Sequence, residues 1–81
     1  MAASDKIESP RTATAERITV ALIAKVTEEL RRVQERTGLS KTDAVNRAIS
    51  VYEFLDAQLA AGNELVLRHP DTGREQLVRL L

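Results

Sequence analysis

The chain has no cysteine and no tryptophan, and only one phenylalanine, one tyrosine and one histidine among its 81 residues. Without cysteine, no disulfide framework or thiolate metal site can supply stability, and nothing points to an oxidising compartment. A chain this short buries only a modest fraction of its surface when it folds alone, so burial across a subunit interface is expected. No apolar run approaches the roughly 20 residues that span a bilayer, and residues 1–15 lack the apolar central stretch of a signal peptide. The expectation is a cytoplasmic protein with no membrane partner. An excess of one charge is missing too: twelve basic residues face twelve acidic ones, for a formal net charge of zero. No broad basic field for a polyanion follows from that balance. Catalytic equipment is also lacking. His69 precedes a proline with no partner at ligand spacing, and there is no glycine-rich phosphate loop and no carboxylate pair beyond solvated helix positions. An enzyme is not expected, nor is a metal or a cofactor.

What is present divides into three parts. Residues 1–15 are rich in Ala, Ser and Thr with scattered charge, too little apolar matter to pack, and read as a flexible N-terminal arm. Residues 16–60 hold the folding signals. Arg17-Ile18-Thr19-Val20-Ala21-Leu22 alternates, with Ile18, Val20 and Leu22 on one side and Arg17, Thr19 and Ala21 on the other, as in a half-buried strand. The period then changes. Val26, Leu30, Val33 and Thr37 recur at three- and four-residue steps among charged residues, which predicts an amphipathic helix over residues 24–37 ending at Gly38. Its start, Ile23-Ala24, offers no capping side chain.

Ser40-Lys41-Thr42-Asp43 is a capping box with Asp in place of the usual Glu or Gln. It opens a second helix expected from Lys41 to about Ala60. Ala44, Val45, Ala48, Ile49, Tyr52, Leu55 and Leu59, joined by Val51 and Phe54, make an apolar arc wider than one stripe, so this helix should pack on more than one neighbour. Tyr52 and Phe54 point about 200° apart on a helix. One of them is expected in the core, and Phe54 is available to the C-terminal segment or to a partner. Residues 61–81 form an extension. Gly62 ends the helix, and Leu65-Val66-Leu67 and Gln76 to Leu81 flank His69-Pro70-Asp71-Thr72-Gly73, whose turn chemistry predicts a β-hairpin.

A lone strand leaves its backbone donors and acceptors on two open edges, and nothing else in residues 1–60 supplies a second strand. The simple solution is the same strand from another copy. Paired antiparallel about a two-fold axis, the strands would turn Ile18, Val20 and Leu22 toward four helices and Arg17, Thr19 and Ala21 outward. A two-stranded ribbon is narrow enough for the major groove of B-DNA.

In the order strand, helix, Gly-Leu-Ser-Lys turn, helix, residues 17–55 resemble the ribbon-helix-helix superfamily of CopG, Arc and MetJ type. Arg17 to Leu22 is similar to the family's ribbon, and Thr37-Gly38-Leu39-Ser40-Lys41-Thr42-Asp43-Ala44 to its interhelical turn and second-helix start. The resemblance implies a mainly α fold with one short strand, an intertwined homodimer and a two-stranded antiparallel intersubunit ribbon. It implies base contacts from Arg17, Thr19 and Ala21, and phosphate contacts from Ser40, Lys41 and Thr42. The expected dimer core is Ile18, Val20, Leu22, Val26, Leu30, Val33, Val45, Ile49 and Tyr52. Arg17 can donate two hydrogen bonds to a guanine, and Thr19 can donate, accept or set its methyl on a thymine. Amides left unpaired at a helix start favour an anion. Ala21 stands where the family usually carries a polar base-contacting residue, which narrows the hydrogen-bonding code.

Taken without the family, a short alternation is an ordinary edge strand and Ser40 a plain helix cap. Arg31, Arg32 and Arg36 interleave with Glu28, Glu29 and Glu35, so ion pairing along a solvated face is expected of them rather than DNA contact. Arg47 is expected to pair with Asp43 or with Glu53 of a neighbour. The function expected from the resemblance is a DNA-binding transcriptional regulator acting as a homodimer, with higher-order assembly on repeated sites. Alternatives are an antitoxin whose tail, residues 56–81, binds a protein partner, a plasmid partition or relaxosome accessory protein, and a dimerisation or adaptor module without DNA affinity.

Overall fold

The computed structural model of the protein describes residues 14–80. The greater part of the expected arm, residues 1–13, lies outside the described residues. Two helices are followed by a two-stranded antiparallel sheet: α1 spans Ala24–Thr37, α2 spans Lys41–Ala60, β1 spans Leu65–Arg68 and β2 spans Glu75–Val78. None of the described helices is long and apolar enough to cross a membrane.

Helix α1 begins at Ile23, which is extended and makes no side-chain cap. The Thr27 amide reaches the Ile23 carbonyl at 2.9 Å, so the first turn is closed by backbone alone. At its other end Gly38 takes a left-handed conformation, φ 74°, and donates to the Gln34 carbonyl. Such a φ is nearly free for glycine and costly for other residues. Thr37 Oγ1 donates to the Val33 carbonyl and accepts from the Leu39 amide, and Gln34 Nε2 donates to the Leu39 carbonyl. These bonds turn the chain within three residues and bring Leu39 back against α1.

The two helices meet around Val33, Leu39, Ala44, Ala48 and Leu55. Of these, Val33, Leu39 and Leu55 are half-buried, and Ala44, 4 % exposed, is the sole buried residue among those described. Two helices have one contact face each, and the wide apolar arc of α2 needs more cover than α1 offers. The expectation that Tyr52 or Phe54 is core is therefore not met within one chain: both are more than half exposed.

Helix α2 closes at Ala61 and Gly62, where the Gly62 and Asn63 amides donate to the Leu59 and Gln58 carbonyls. The predicted hairpin is present, with strand limits shifted by a residue or more from those expected. Its register sets Leu65 opposite Val78, Val66 opposite Leu77, Leu67 opposite Gln76 and Arg68 opposite Glu75. The turn is closed by the Thr72 and Gly73 amides on the His69 carbonyl, with Gly73 at φ 73°. Pro70 pre-sets the first corner. The hairpin borders α2 along Tyr52, Asp56 and Leu59, and Phe54 is not among the residues lining that groove.

Residues 17–22 form no strand in the single chain. Strand geometry is held by bonds to a neighbour, and no backbone hydrogen bond joins residues 14–22 to any other described residue.

A Cβ at Gly38 would meet nothing within 4 Å. Gly38→Ala should thus cost only the backbone penalty of the left-handed region, about 1–2 kcal/mol, read as a lower midpoint in urea denaturation.

Candidate nucleic-acid interface

Two groups of expected site residues can be placed. The first is the segment 17–22, which leads directly into α1. All six residues are exposed. Of its apolar residues, Ile18 is 61 % exposed, Val20 62 % and Leu22 43 %, and three such side chains close together in sequence leave apolar surface in water. Arg17, Thr19 and Ala21 would share the opposite side once the segment is paired as a strand.

The second group is the start of α2. Ser40 is extended, φ −70° and ψ 167°, and its Oγ accepts from the Asp43 amide at 3.0 Å. The Ser40 carbonyl takes the Ala44 amide at 2.9 Å. This leaves the amides of Lys41 and Thr42 with no hydrogen-bond partner among the described residues, at the positive end of a 20-residue helix. The Lys41 and Thr42 side chains are exposed beside them. Only one arm of the expected capping box forms. The reciprocal bond, in which the Ser40 amide would donate to the Asp43 carboxylate, is absent among the described residues, Asp being one methylene shorter than the Glu that usually makes it. Asp43 therefore contributes its charge to the helix start without occupying the amides.

Two of the three arginines of α1 are engaged with their own helix. Arg31 bonds to both Glu28 and Glu35, Arg32 lies 3.6 Å from Glu28, and Lys25 pairs with Glu29 at 2.6 Å. A hydrogen bond from Arg31, reinforced by its charge, holds the Glu28 carboxyl below its ordinary value, and the Glu28 bond raises Arg31 in turn. Of the three arginines, Arg36 alone lacks an ion pair among the described residues. The expected pairing of Arg47 with Asp43 does not occur. Its stem instead lines the apolar groove between the helices, with Val33, Ala48 and Val51.

His69 is half-buried at the hairpin turn, and its Nε2 has no hydrogen-bond partner among the described residues. No cluster of three or more His, Cys, Asp or Glu that could hold a metal occurs among them. The feature that sequence reasoning passed over is the groove between α1 and α2, about 370 Å³ and almost wholly apolar. Its signal was the width of the α2 arc, which exceeds what one helix can cover.

No protein-family model, curated protein or solved structure matches the chain significantly.

Because the hydrogen bond from Arg31 holds Glu28 below its ordinary carboxyl range in the folded chain, its contribution to α1 is complete at neutral pH and is lost as pH falls through the lowered value. Exposure keeps the effect small and salt-sensitive. In a circular-dichroism acid titration, Glu28→Gln should remove the part of the stability loss that sets in as the carboxylates protonate. A variant whose titration overlays the parent would show that the pair contributes nothing.

Proposed function

We propose that the protein is a ribbon-helix-helix DNA-binding regulator that acts as a two-fold dimer. The observation that carries this reading is the segment 17–22: alternating, unpaired along its backbone, and wet on an apolar side that should be inside. Pairing with the same segment of a second copy supplies the missing backbone bonds. It also brings Ile18, Val20 and Leu22 over a helix layer in which Val26, Val45, Ile49 and Tyr52 are themselves exposed in the single chain. Each such side chain contributes roughly 1.5–3 kcal/mol when fully covered.

The polar side of the ribbon then carries Arg17, Thr19 and Ala21 from each copy into the major groove, and the amides and side chains at Ser40, Lys41 and Thr42 clamp the flanking phosphates. Arg17 reads guanine, worth about 1–3 kcal/mol against a wrong base. Ala21 offers only a methyl contact to thymine, so sequence selectivity rests on two side chains per copy and on DNA shape.

The folded hairpin at residues 65–78 favours this reading over an antitoxin, whose toxin-binding tail is often disordered until bound. A second reading, a dimerisation module without DNA affinity, is favoured by the zero net charge. Salt dependence separates the two, because phosphate contacts release counterions and weaken as salt rises.

Dimerisation predicts a melting temperature that falls by a few degrees on tenfold dilution, and a Val20→Asp chain that melts lower than the parent at every concentration, with that dependence weakened. In gel-shift titrations, Arg17→Ala should weaken binding and relax base preference. Lys41→Ala should weaken binding to all duplexes alike and flatten the salt dependence by about one unit of slope per lost contact. Unchanged affinity in both variants would remove this surface from consideration.

A further inference from the structure

The hairpin is a sheet of two strands with both outer edges uncovered among the described residues, and such a pair is marginal in water without further cover. Its ladder tells which groups are free. The His69 amide donates to the Arg74 carbonyl at 2.8 Å, so His69 and Arg74 are a hydrogen-bonded pair. Antiparallel ladders alternate. Leu67 with Gln76 and Leu65 with Val78 are therefore the next bonded pairs in the register, and Val66 and Arg68 turn their N–H and C=O groups outward, with Glu64 continuing the row.

We infer that this outer edge of β1 pairs with β1 of a second copy, forming a four-stranded antiparallel sheet about a two-fold axis at Val66. The axis position follows from the side chains. Centred on Val66, the register sets Val66 against its own copy, Leu65 against Leu67 of the second copy, and Glu64 against Arg68 of the second copy, each unlike pair occurring twice. Apolar meets apolar, and acid meets base. Every neighbouring register is worse: an axis at Leu65 sets Glu64 against Val66, one at Leu67 sets Val66 against Arg68, and one at Arg68 sets two arginines together and Val66 against Pro70, which has no donor. The β2 edge also offers a charge match, Glu75 against Arg79 about an axis at Leu77, but it sets Gln76 against Val78. The β1 edge alone is self-complementary at all its positions. This surface is separate from the ribbon and the helix layer, and its pairing stands whether or not the chain binds DNA.

The chain contains no cysteine, which allows a direct test on the full protein. Val66 and Leu77 lie opposite one another on the same face of the hairpin and are similarly exposed, 53 % and 48 %. Random collision would oxidise a cysteine at either position equally. In a hydrogen-bonded antiparallel pair the Cα atoms are about 5.5 Å apart, within disulfide range. Under mild oxidation, Val66→Cys should run mainly as a covalent dimer on a non-reducing gel and Leu77→Cys mainly as a monomer. Adding Glu64→Arg to Val66→Cys places like charges across the axis and should reduce the cross-linked fraction. Cross-linking that is confined to Leu77→Cys, equal at the two positions or absent from both would overturn the inference, as would a cross-linked fraction unmoved by Glu64→Arg.

Discussion

The contact between α1 and α2 is the constraint on which everything else depends, and it is too small. Two helices joined by a tight turn share one strip of side chains, and in this chain the strip encloses a single alanine. The hydrophobic term is proportional to the apolar area removed from water, while ordering the backbone of 34 helical residues costs about 1–2 kcal/mol for each. A strip centred on Ala44 cannot offset that. The apolar residues needed to do so are present, but they lie on the outside: Ile18, Val20 and Leu22 ahead of α1, and Val45, Ile49, Val51 and Phe54 around α2. The proposed dimer would cover these residues, and the absence of cysteine leaves hydrophobic cover as the means.

The parts of the fold that were legible in the sequence are those decided by local chemistry. Gly38 ends α1 because it alone among its neighbours adopts φ 74° without penalty. Ser40 starts α2 because its hydroxyl reaches the Asp43 amide, and Pro70 to Gly73 reverse the chain because their preferred dihedrals suit the turn. The ion pairs on α1 were equally legible, since a three- or four-residue spacing sets such side chains together. Features that depend on a single methylene or on distant packing were not. Spacing alone could not tell that Asp43 stops short of the Ser40 amide, nor that Arg47 would line the groove instead of pairing with Asp43. Helical periodicity identified Tyr52 and Phe54 as apolar-arc residues but could not say that one chain lacks the volume to bury either. The segment 17–22 is the instructive case: its alternation is a statement about two faces, and a single chain supplies a neighbour for neither its backbone nor its apolar side.

The candidate site has the same character. Ser40 serves the fold and the proposed site at once, since its hydroxyl occupies one amide at the helix start and thereby leaves Lys41 and Thr42 as the amides available to an anion. The shortness of Asp43 helps here, because its carboxylate does not bend back over those amides. Arg31 and Arg32 of α1, by contrast, pair with Glu28 and Glu35 on their own helix, which leaves Arg36 as the one arginine of that helix without an ion pair among the described residues.

A protein with zero net charge that binds a polyanion must do so through placed contacts rather than through its field. The proposed dimer doubles Arg17, Thr19 and Lys41 but doubles the acidic residues with them, so the ratio of attraction to repulsion is unchanged and only the geometry improves. Each further copy on the same duplex multiplies the contacts again, while a protein contact between copies raises the effective concentration of the next one. The inferred β1 edge is suited to this because it is a two-fold surface distinct from the ribbon. Two different two-folds on one chain need not close on themselves, and where they do not, dimers extend into a row. On that arrangement, affinity for a repeated site would come from the hairpins as much as from the reading face, and a face with only two hydrogen-bonding side chains per copy would be enough.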